Sequence, residues 1–181
     1  MIYQNFSKKF SRVLVTGGCG FIGSCLIRNL LTKTNSLILN IDSLTYSGST
    51  KSIDEVLKKS SLQKNRYTFS KNSINNLEKV KLLINNFKPE IVFHLAAETH
   101  VDASIINPKI FIENNIIGTF NLLDATYQYW KTLSKANQRS FIFIHISTDE
   151  VFGSLGREGY FTEESRYKPR SPYSASKASS D

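Results

Sequence analysis

Tyr173 and Lys177 lie four residues apart in the run SPYSASKASSD. That spacing puts both side chains on one face of a helix. A lysine ammonium beside a phenol favours the phenolate and draws it down from its ordinary value near ~10. A phenolate so placed takes the proton of an alcohol as hydride leaves the same carbon. The spacing by itself also describes an ordinary surface pair. A second group of reactive types is Ser147-Thr148-Asp149-Glu150, directly after the apolar run FIFIHIS. Thr148 can hydrogen-bond a reacting hydroxyl, and the adjacent carboxyl groups offer an acid and a base if their surroundings push them apart. The bland alternative is an acidic pair capping a neighbouring helix.

A third group suits phosphate. Thr16-Gly17-Gly18-Cys19-Gly20-Phe21-Ile22-Gly23 follows a short β-branched run and precedes a helical pattern. Gly17, Gly20 and Gly23 allow a tight turn and a close backbone approach to a pyrophosphate, while the helix N-terminus supplies N–H donors and a positive dipole end. Asp42 stands 19 residues after Gly23, at the end of the next apolar run. An acid at about that distance (~20 residues) accepts from adenosine ribose hydroxyls and repels a 2′-phosphate, which favours NAD over NADP. In His94-Leu95-Ala96-Ala97-Glu98-Thr99-His100 the small alanines let backbone pass close to a cofactor, and Glu98 and Thr99 reach toward ribose or substrate. His100 reads first as a hydrogen-bonded structural histidine and second as a catalytic one; His94 and His145 read as core. No H-E-x-x-H pattern occurs, and Cys19 and Cys25 make neither a disulfide framework nor a zinc site, so no metal is expected.

These residues need a frame. Arg12–Thr16, Leu37–Asp42, Tyr67–Ser70, Ile91–Ala96 and Phe141–Ser147 read as strands. Between them, residues 20–31 form a helix with Ile22, Leu26 and Leu30 on one face, 54–59 a short helix, and Leu77, Val80, Ile84 and Phe87 an amphipathic helix stopped at Lys88-Pro89. Ile116, Phe120, Leu123, Tyr127 and Trp130 predict a long helix, residues 153–172 an ordered loop, and Pro172-Tyr173 a last helix start. Apolar strands alternating with helices imply an α/β fold, a doubly wound parallel sheet of Rossmann type, truncated before any smaller substrate domain. Residues 1–11 are expected as an N-terminal extension and 12–181 as the NAD-binding domain. The last helix pattern stops at Asp181 after about two turns with no stop signal, as expected of an incomplete domain.

The 181 residues are 40% apolar and 21% charged, which fits a globular chain. Lys and Arg number 23 against 15 Asp and Glu, a net charge of +8. The basic residues are scattered and no nucleic-acid motif accompanies them, so a solvated basic surface or attraction of a small anion is expected, not nucleic acid. No apolar run reaches the ~18 residues of a membrane span, and none near the N-terminus has signal-peptide length. The expected location is the cytoplasm.

Taken together, TGGCGFIGS, IDSLTYSGS, HLAAETHVDASI, HISTDEVFG and SPYSASKASSD resemble the N-terminal part of the extended short-chain dehydrogenase/reductases, and within them the dTDP-glucose 4,6-dehydratase family of nucleotide-sugar metabolism. The Thr-Asp-Glu triplet separates this resemblance from sugar-nucleotide epimerases, which lack the acid–base pair. The resemblance implies an NAD-dependent lyase. Tyr173, with Lys177 and Thr148, would deprotonate the glucose C4 hydroxyl, Glu150 would remove the C5 proton and Asp149 would protonate the leaving C6 hydroxyl. It also implies that Phe21, Ile22, Asp42, Ser43, Leu44, Thr45, Ser73, Ile74, Leu95, Ala96, Ala97, Glu98, Thr99, Asn114, Tyr173 and Lys177 contact NAD, with Thr99 and Thr148 touching the sugar. Family members usually carry Asp-Ile where this chain has Ser73-Ile74, Asp-Arg-Ser where it has Asp102-Ala103-Ser104, and threonine at Asn114. The family dimerises through the helix around residues 116–130 and the tyrosine helix, so a homodimer is expected for a full-length protein. The competing expectations are another sugar-nucleotide 4,6-dehydratase, a 4-epimerase, or a non-catalytic NAD- or RNA-binding remnant.

Overall fold

The computed structural model describes residues 2–181. After α1 (Ile2–Lys9) come β1 (Arg12–Thr16), α2 (Phe21–Lys33), β2 (Leu37–Asp42), α3 (Lys51–Lys59), α4 (Ser61–Asn65), β3 (Tyr67–Lys71), α5 (Leu77–Phe87), β4 (Ile91–His94), α6 (Val101–Ile106) and α7 (Pro108–Phe111). A π-helical stretch, Ile112–Ile117, leads into α8 (Gly118–Lys131). Then follow α9 (Lys135–Ser140), β5 (Ile142–His145), a 3-10 turn (Asp149–Phe152) and α10 (Pro172–Ser180).

The strands form one sheet in the order β3-β2-β1-β4-β5, and every pairing is parallel. Parallel neighbours cannot be joined by a tight turn, so each crossover needs a helix-length connection. The winding leaves β1 in two opposite directions, and the reversal between β1 and β4 opens a crevice at the strands' carboxyl ends. This is the doubly wound sheet expected from the sequence.

Alternation along the strands sends side chains to two cores. Val13, Val15 and Ile38 pack on one face with Ile27, Leu30 and Leu31 of α2 and Ile53 of α3. Leu14, Leu39, Ile41 and Val92 pack on the other with Val80 and Ile84 of α5 and Leu122 of α8. Full burial of each such side chain stabilises the fold by about 1.5–3 kcal/mol. Phe10 is buried against the first core, and Phe6 sits 6.4 Å from Phe93 between ring centres. The segment before β1 is therefore packed onto the domain. No helix among the described residues is long and apolar enough to cross a membrane.

Two helical faces differ from those the periodicity predicts. In α2 the buried set is Gly23, Ser24, Ile27, Leu30 and Leu31, while Ile22 is 62% exposed. Close packing of Gly23 on the preceding turn rotates Ile22 outward. In α8 the inward face is Leu122, Ala125, Thr126 and Tyr129, whereas Phe120, Leu123 and Tyr127 lie exposed. The apolar stripe of 116–130 points away from this chain's own core. Strands β4 and β5 are also shorter than their apolar runs. The pairing stops at His94 opposite His145, because beyond it the two chains leave the sheet to line the crevice.

Candidate active site

The crevice beyond β1 and β4 holds a cavity of about 510 Å³. The turn after β1 forms its floor. Gly17 adopts φ +71°, and a Cβ there would lie 2.5 Å from the Ala96 nitrogen. Only glycine fits a turn so close to the next strand. A Cβ on Gly20 would meet nothing nearer than Gly17 O at 3.4 Å, so that glycine faces open space in the cavity. The first turn of α2 follows at once, with its unpaired N–H groups at the cavity mouth.

Asp42 ends β2 at the cavity edge. Its Oδ2 accepts from Cys19 N at 2.8 Å and its Oδ1 from Leu44 N at 2.8 Å. Each carboxylate oxygen keeps a second lone pair for an outside donor such as a ribose hydroxyl. Burial, and then the nearby Asp42 charge, pushes the Cys19 thiol up to about 11, which leaves it unreactive. Asn40 anchors the same turn: buried in the middle of β2, it accepts from Gly18 N at 3.1 Å and donates to Tyr67 OH at 2.9 Å. Asn40 is the single amide inside the apolar run LILNID, which is the sequence signal of this anchor.

The opposite wall comes from the segment after β4. Leu95 N bonds back to Thr16 O at 3.0 Å, and Leu95 to Thr99 then line the cavity. Glu98 is buried, which raises its carboxyl above the usual range, while the amide of Asn114, 3.2 Å from Oε1, works the other way. Asn115 holds this wall to α10. Its Oδ1 accepts from Glu98 N at 2.8 Å, and its Nδ2 donates to Glu98 O and to Ser176 Oγ, both at 2.9 Å. It was not singled out from sequence, because a second asparagine in a helical stretch carries no local signal. His100 caps α6 through Ala103 N at 3.4 Å, its structural reading. His94 is core: Thr16 Oγ1 and Thr119 Oγ1 take its two ring nitrogens at 2.7 and 2.9 Å.

The third wall is the chemical one. Ser171 caps α10 in a reciprocal pair with Ser174 and fixes where the helix starts. Tyr173 and Lys177, on one face as expected, both line the cavity and are 8% and 3% exposed. The expected lowering of the phenol is not found. Burial raises Tyr173, Glu150 and Asp149 raise it further, and only the hydrogen bond with Thr148 opposes them. The physical reason lies in Lys177, whose Nζ donates to Ile146 O at 2.8 Å and sits 3.2 Å from His145 Nε2, engaged away from the phenol. His145 is thus a neighbour of the site and not plain core.

The cavity brings together Gly17, Gly20, Phe21, Ile22, Gly23, Asp42, Ser43, Thr45, Ser73, Ile74, Leu95, Ala96, Ala97, Glu98, Thr99, Asn114, Thr148, Tyr173 and Lys177. Three sequence-predicted residues stand apart. Leu44 takes a left-handed φ of +54° and packs on the first core. Asp149 and Glu150 sit exposed on the 3-10 turn beside the cavity, with Thr148 Oγ1 accepting from Glu150 N at 3.3 Å. Ile41, Ser47, Gly48, Asn72 and Ile146 also line the cavity, and no local feature of the sequence marks them out; Ser147, in the reactive run before Thr148, lines it too.

This geometry meets its comparison in known proteins. The profile of the family described as GDP-mannose 4,6 dehydratase matches residues 14–181. The chain belongs to that dehydratase family. A dTDP-glucose 4,6-dehydratase of Neisseria meningitidis serogroup B is 46% identical over 171 residues, covering 94% of this chain and 47% of the relative. The chain spans about half the length of the curated relatives it matches. Among solved structures, DesIV, a dTDP-glucose 4,6-dehydratase of Streptomyces venezuelae with NAD bound, superposes with a TM-score of 0.80 at 34% identity, over 93% of this chain and 49% of that one. A UDP-Glc/GlcNAc 4-epimerase of Campylobacter jejuni superposes nearly as well, with a TM-score of 0.79 at 28% identity, over 94% and 46% of the two chains. The dehydratase-family fold is therefore shared with epimerases, and the backbone does not tell the reactions apart.

Proposed function

We propose that this chain is the NAD-binding part of a dTDP-glucose 4,6-dehydratase, converting dTDP-glucose to a 4-keto-6-deoxy sugar nucleotide. The observation that carries this is the placement of Thr148-Asp149-Glu150 on a turn beside Tyr173: Thr148 lines the cavity with the phenol and lowers its proton affinity, while both carboxylates are near enough to raise it. The cavity residues fit the cofactor. Gly17, Gly20 and Gly23 leave room for a pyrophosphate, Asp42 offers free lone pairs to a ribose, and a 2′-phosphate would face its charge. When bound, NAD supplies hydride acceptance at C4 and return at C6. Ser73, Ile74 and Asn114 would flank its adenine side.

The protein's own steps are proton transfers. Tyr173, in its phenolate form, takes the C4 hydroxyl proton, with Thr148 orienting that hydroxyl. Lys177 holds positive charge beside the site and binds the ribose. The C4 ketone acidifies the C5 proton, which Glu150 removes. Asp149 donates a proton to the C6 hydroxyl as it leaves as water. Thr99 and Thr148 bind the sugar. Exposure of Asp149 and Glu150 fits groups that face a substrate rather than the cofactor.

The reading places residues 12–181 as an incomplete NAD-binding domain, with 1–11 preceding it, in a cytoplasmic protein without nucleic-acid or membrane partners. The exposed row Phe120, Leu123 and Tyr127 supports a helix-to-helix homodimer in the full-length protein. The relatives carry about as much chain again, and turnover by the 181 residues alone is expected to be poor or nil. The test uses the longest chain encoded at the locus with dTDP-glucose bearing deuterium at C5. Native protein is expected to lose that deuterium to solvent and form the 4-keto sugar. Glu150→Gln is expected to block the loss. Retention of C5 deuterium by the native protein, with inversion at C4, would establish the epimerase reading instead.

A further inference from the structure

Asp181 lies one helical turn beyond Lys177, its backbone N–H bonded to Lys177 O at 3.1 Å. Its side chain is 12% exposed and turns back onto β5. Oδ2 accepts from Ser147 Oγ at 2.6 Å and from Tyr167 OH at 3.0 Å. Oδ1 lies 3.2 Å from His145 Nε2. One carboxylate therefore gathers the end of β5 and the loop before α10.

Nε2 of His145 is crowded. Besides Asp181, it has Lys177 Nζ at 3.2 Å and Ser180 Oγ at 3.3 Å. Nδ1 is buried and meets no partner among the described residues. His94, with its ring centre 5.1 Å away, offers nothing, because Thr16 and Thr119 occupy both its nitrogens. Burial and the Lys177 charge push His145 below its ordinary value, against the opposing pull of Asp181, which favours a neutral ring. A neutral imidazole has one proton for two nitrogens. On Nδ1 it would be a buried donor without an acceptor, and the Nε2 lone pair, although met by Lys177 and Ser180, would also face the Asp181 carboxylate, which only accepts. On Nε2 it answers Oδ1 and leaves only a lone pair unmatched. Lys177 then has no acceptor in the imidazole and donates to Ile146 O, with its remaining protons free for the cavity it lines.

We propose that Asp181 is a positioning residue: its carboxylate fixes the proton of His145 on Nε2 and so keeps the Lys177 ammonium on the Ile146 carbonyl and the cavity, not on the imidazole. The catalytic meaning of this rests on Lys177 serving the proposed dehydratase site; the position of the proton does not.

The test is a long-range 1H–15N correlation spectrum of the 181-residue chain near neutral pH, with no cofactor or substrate. Only three histidines need assignment, and His100→Asn removes the exposed one. His145 is expected to show a protonated Nε2 and a bare Nδ1. In Asp181→Asn the amide oxygen takes the Ser147 and Tyr167 donors, the amide NH2 faces Nε2, and the proton is expected to move to Nδ1. Tyr167→Phe leaves the charge in place and is expected to keep the native tautomer. A native chain with the proton on Nδ1 overturns the proposal, as does an Asp181→Asn variant with the native tautomer. If that variant does not fold, the native spectrum decides alone. NAD titration of the same sample reports separately on the dehydratase reading.

Discussion

The two sides of the cavity are built differently. On the β1–β2 side, backbone does the work: Gly17 presses against Ala96, and Asn40 and Asp42 hold the turn amides at 3.1 and 2.8 Å. There Asn40 and Asp42 are buried, with their side-chain oxygens tied to the turn. On the β5–α10 side, side chains do the work. Tyr173 and Lys177 are buried among ionisable neighbours, while Asp149 and Glu150 stand exposed on a short turn. A recognition surface for one fixed cofactor can be made rigid in advance, whereas groups that move protons must meet a substrate that comes and goes. DesIV and the Campylobacter epimerase both superpose on this chain, so the shared fold does not by itself fix the reaction.

Breaking the chemical wall should give the largest effect. Tyr173→Phe is expected to lower 4-keto sugar formation by roughly 10²–10⁴-fold while weakening NAD far less, measured on the longest encoded chain. In the native protein the phenol holds its proton above its ordinary value, so product formation should climb with pH through neutrality and into the alkaline range. A rate falling over that range would place the proton transfer elsewhere. Breaking the frame should act through structure and cofactor binding instead of through the proton transfer. Gly17→Ala forces a side chain into a φ of +71° and against Ala96, so it is expected to destabilise the fold by about 1–3 kcal/mol and to abolish measurable NAD binding. Gly20→Ala has room for its methyl in the free protein and should keep stability within about 0.5 kcal/mol, yet still weaken NAD. Chemical denaturation and calorimetry on the three proteins separate the two glycines.

The smallest effect sharpens the comparison at its midline. His94, buried between β1 and α8, is pushed down to about 3 by burial first and then by the charges of His145 and Lys177. The unfolded chain takes up its proton near ~6.5, and the folded chain does not until the pH is far lower. Stability from this group is therefore full above the unfolded value and is lost as pH falls below it, with a slope of at most about 1.4 kcal/mol per pH unit. His94→Asn should flatten that slope in urea titrations between those two pH values. An unchanged slope would mean that other groups set the acid limit.

The frame was largely legible because its signals are local. RVLVT, LILNID and the spaced glycines name their own strands and turn, and β1 and β2 begin and end where those runs do. What was not legible depends on the partners a residue meets in space. The stripe through Phe120, Leu123 and Tyr127 has helical period, but period alone does not say which core it faces, and here it faces outward. The Tyr173–Lys177 spacing implies a shared helix face, yet not that Ile146 O, just past the end of β5 and more than 30 residues earlier, would take the ammonium. Asn115 reaches Glu98 and Ser176 across two elements, a contact no window of sequence contains.

The central claim is that residues 12–181 hold NAD on a preformed, backbone-built floor closed by Asp42. It is tested most directly by calorimetric titration of the 181-residue chain with NAD and with NADP, in the native protein and in Asp42→Ala. The account predicts one-to-one NAD binding in the native chain, with NADP weaker by roughly tenfold or more, and a fall of roughly ten- to a hundredfold for NAD in the variant, the scale of a hydrogen bond to a charged group. No NAD binding by a folded native chain, or equal affinity for NADP, would contradict it.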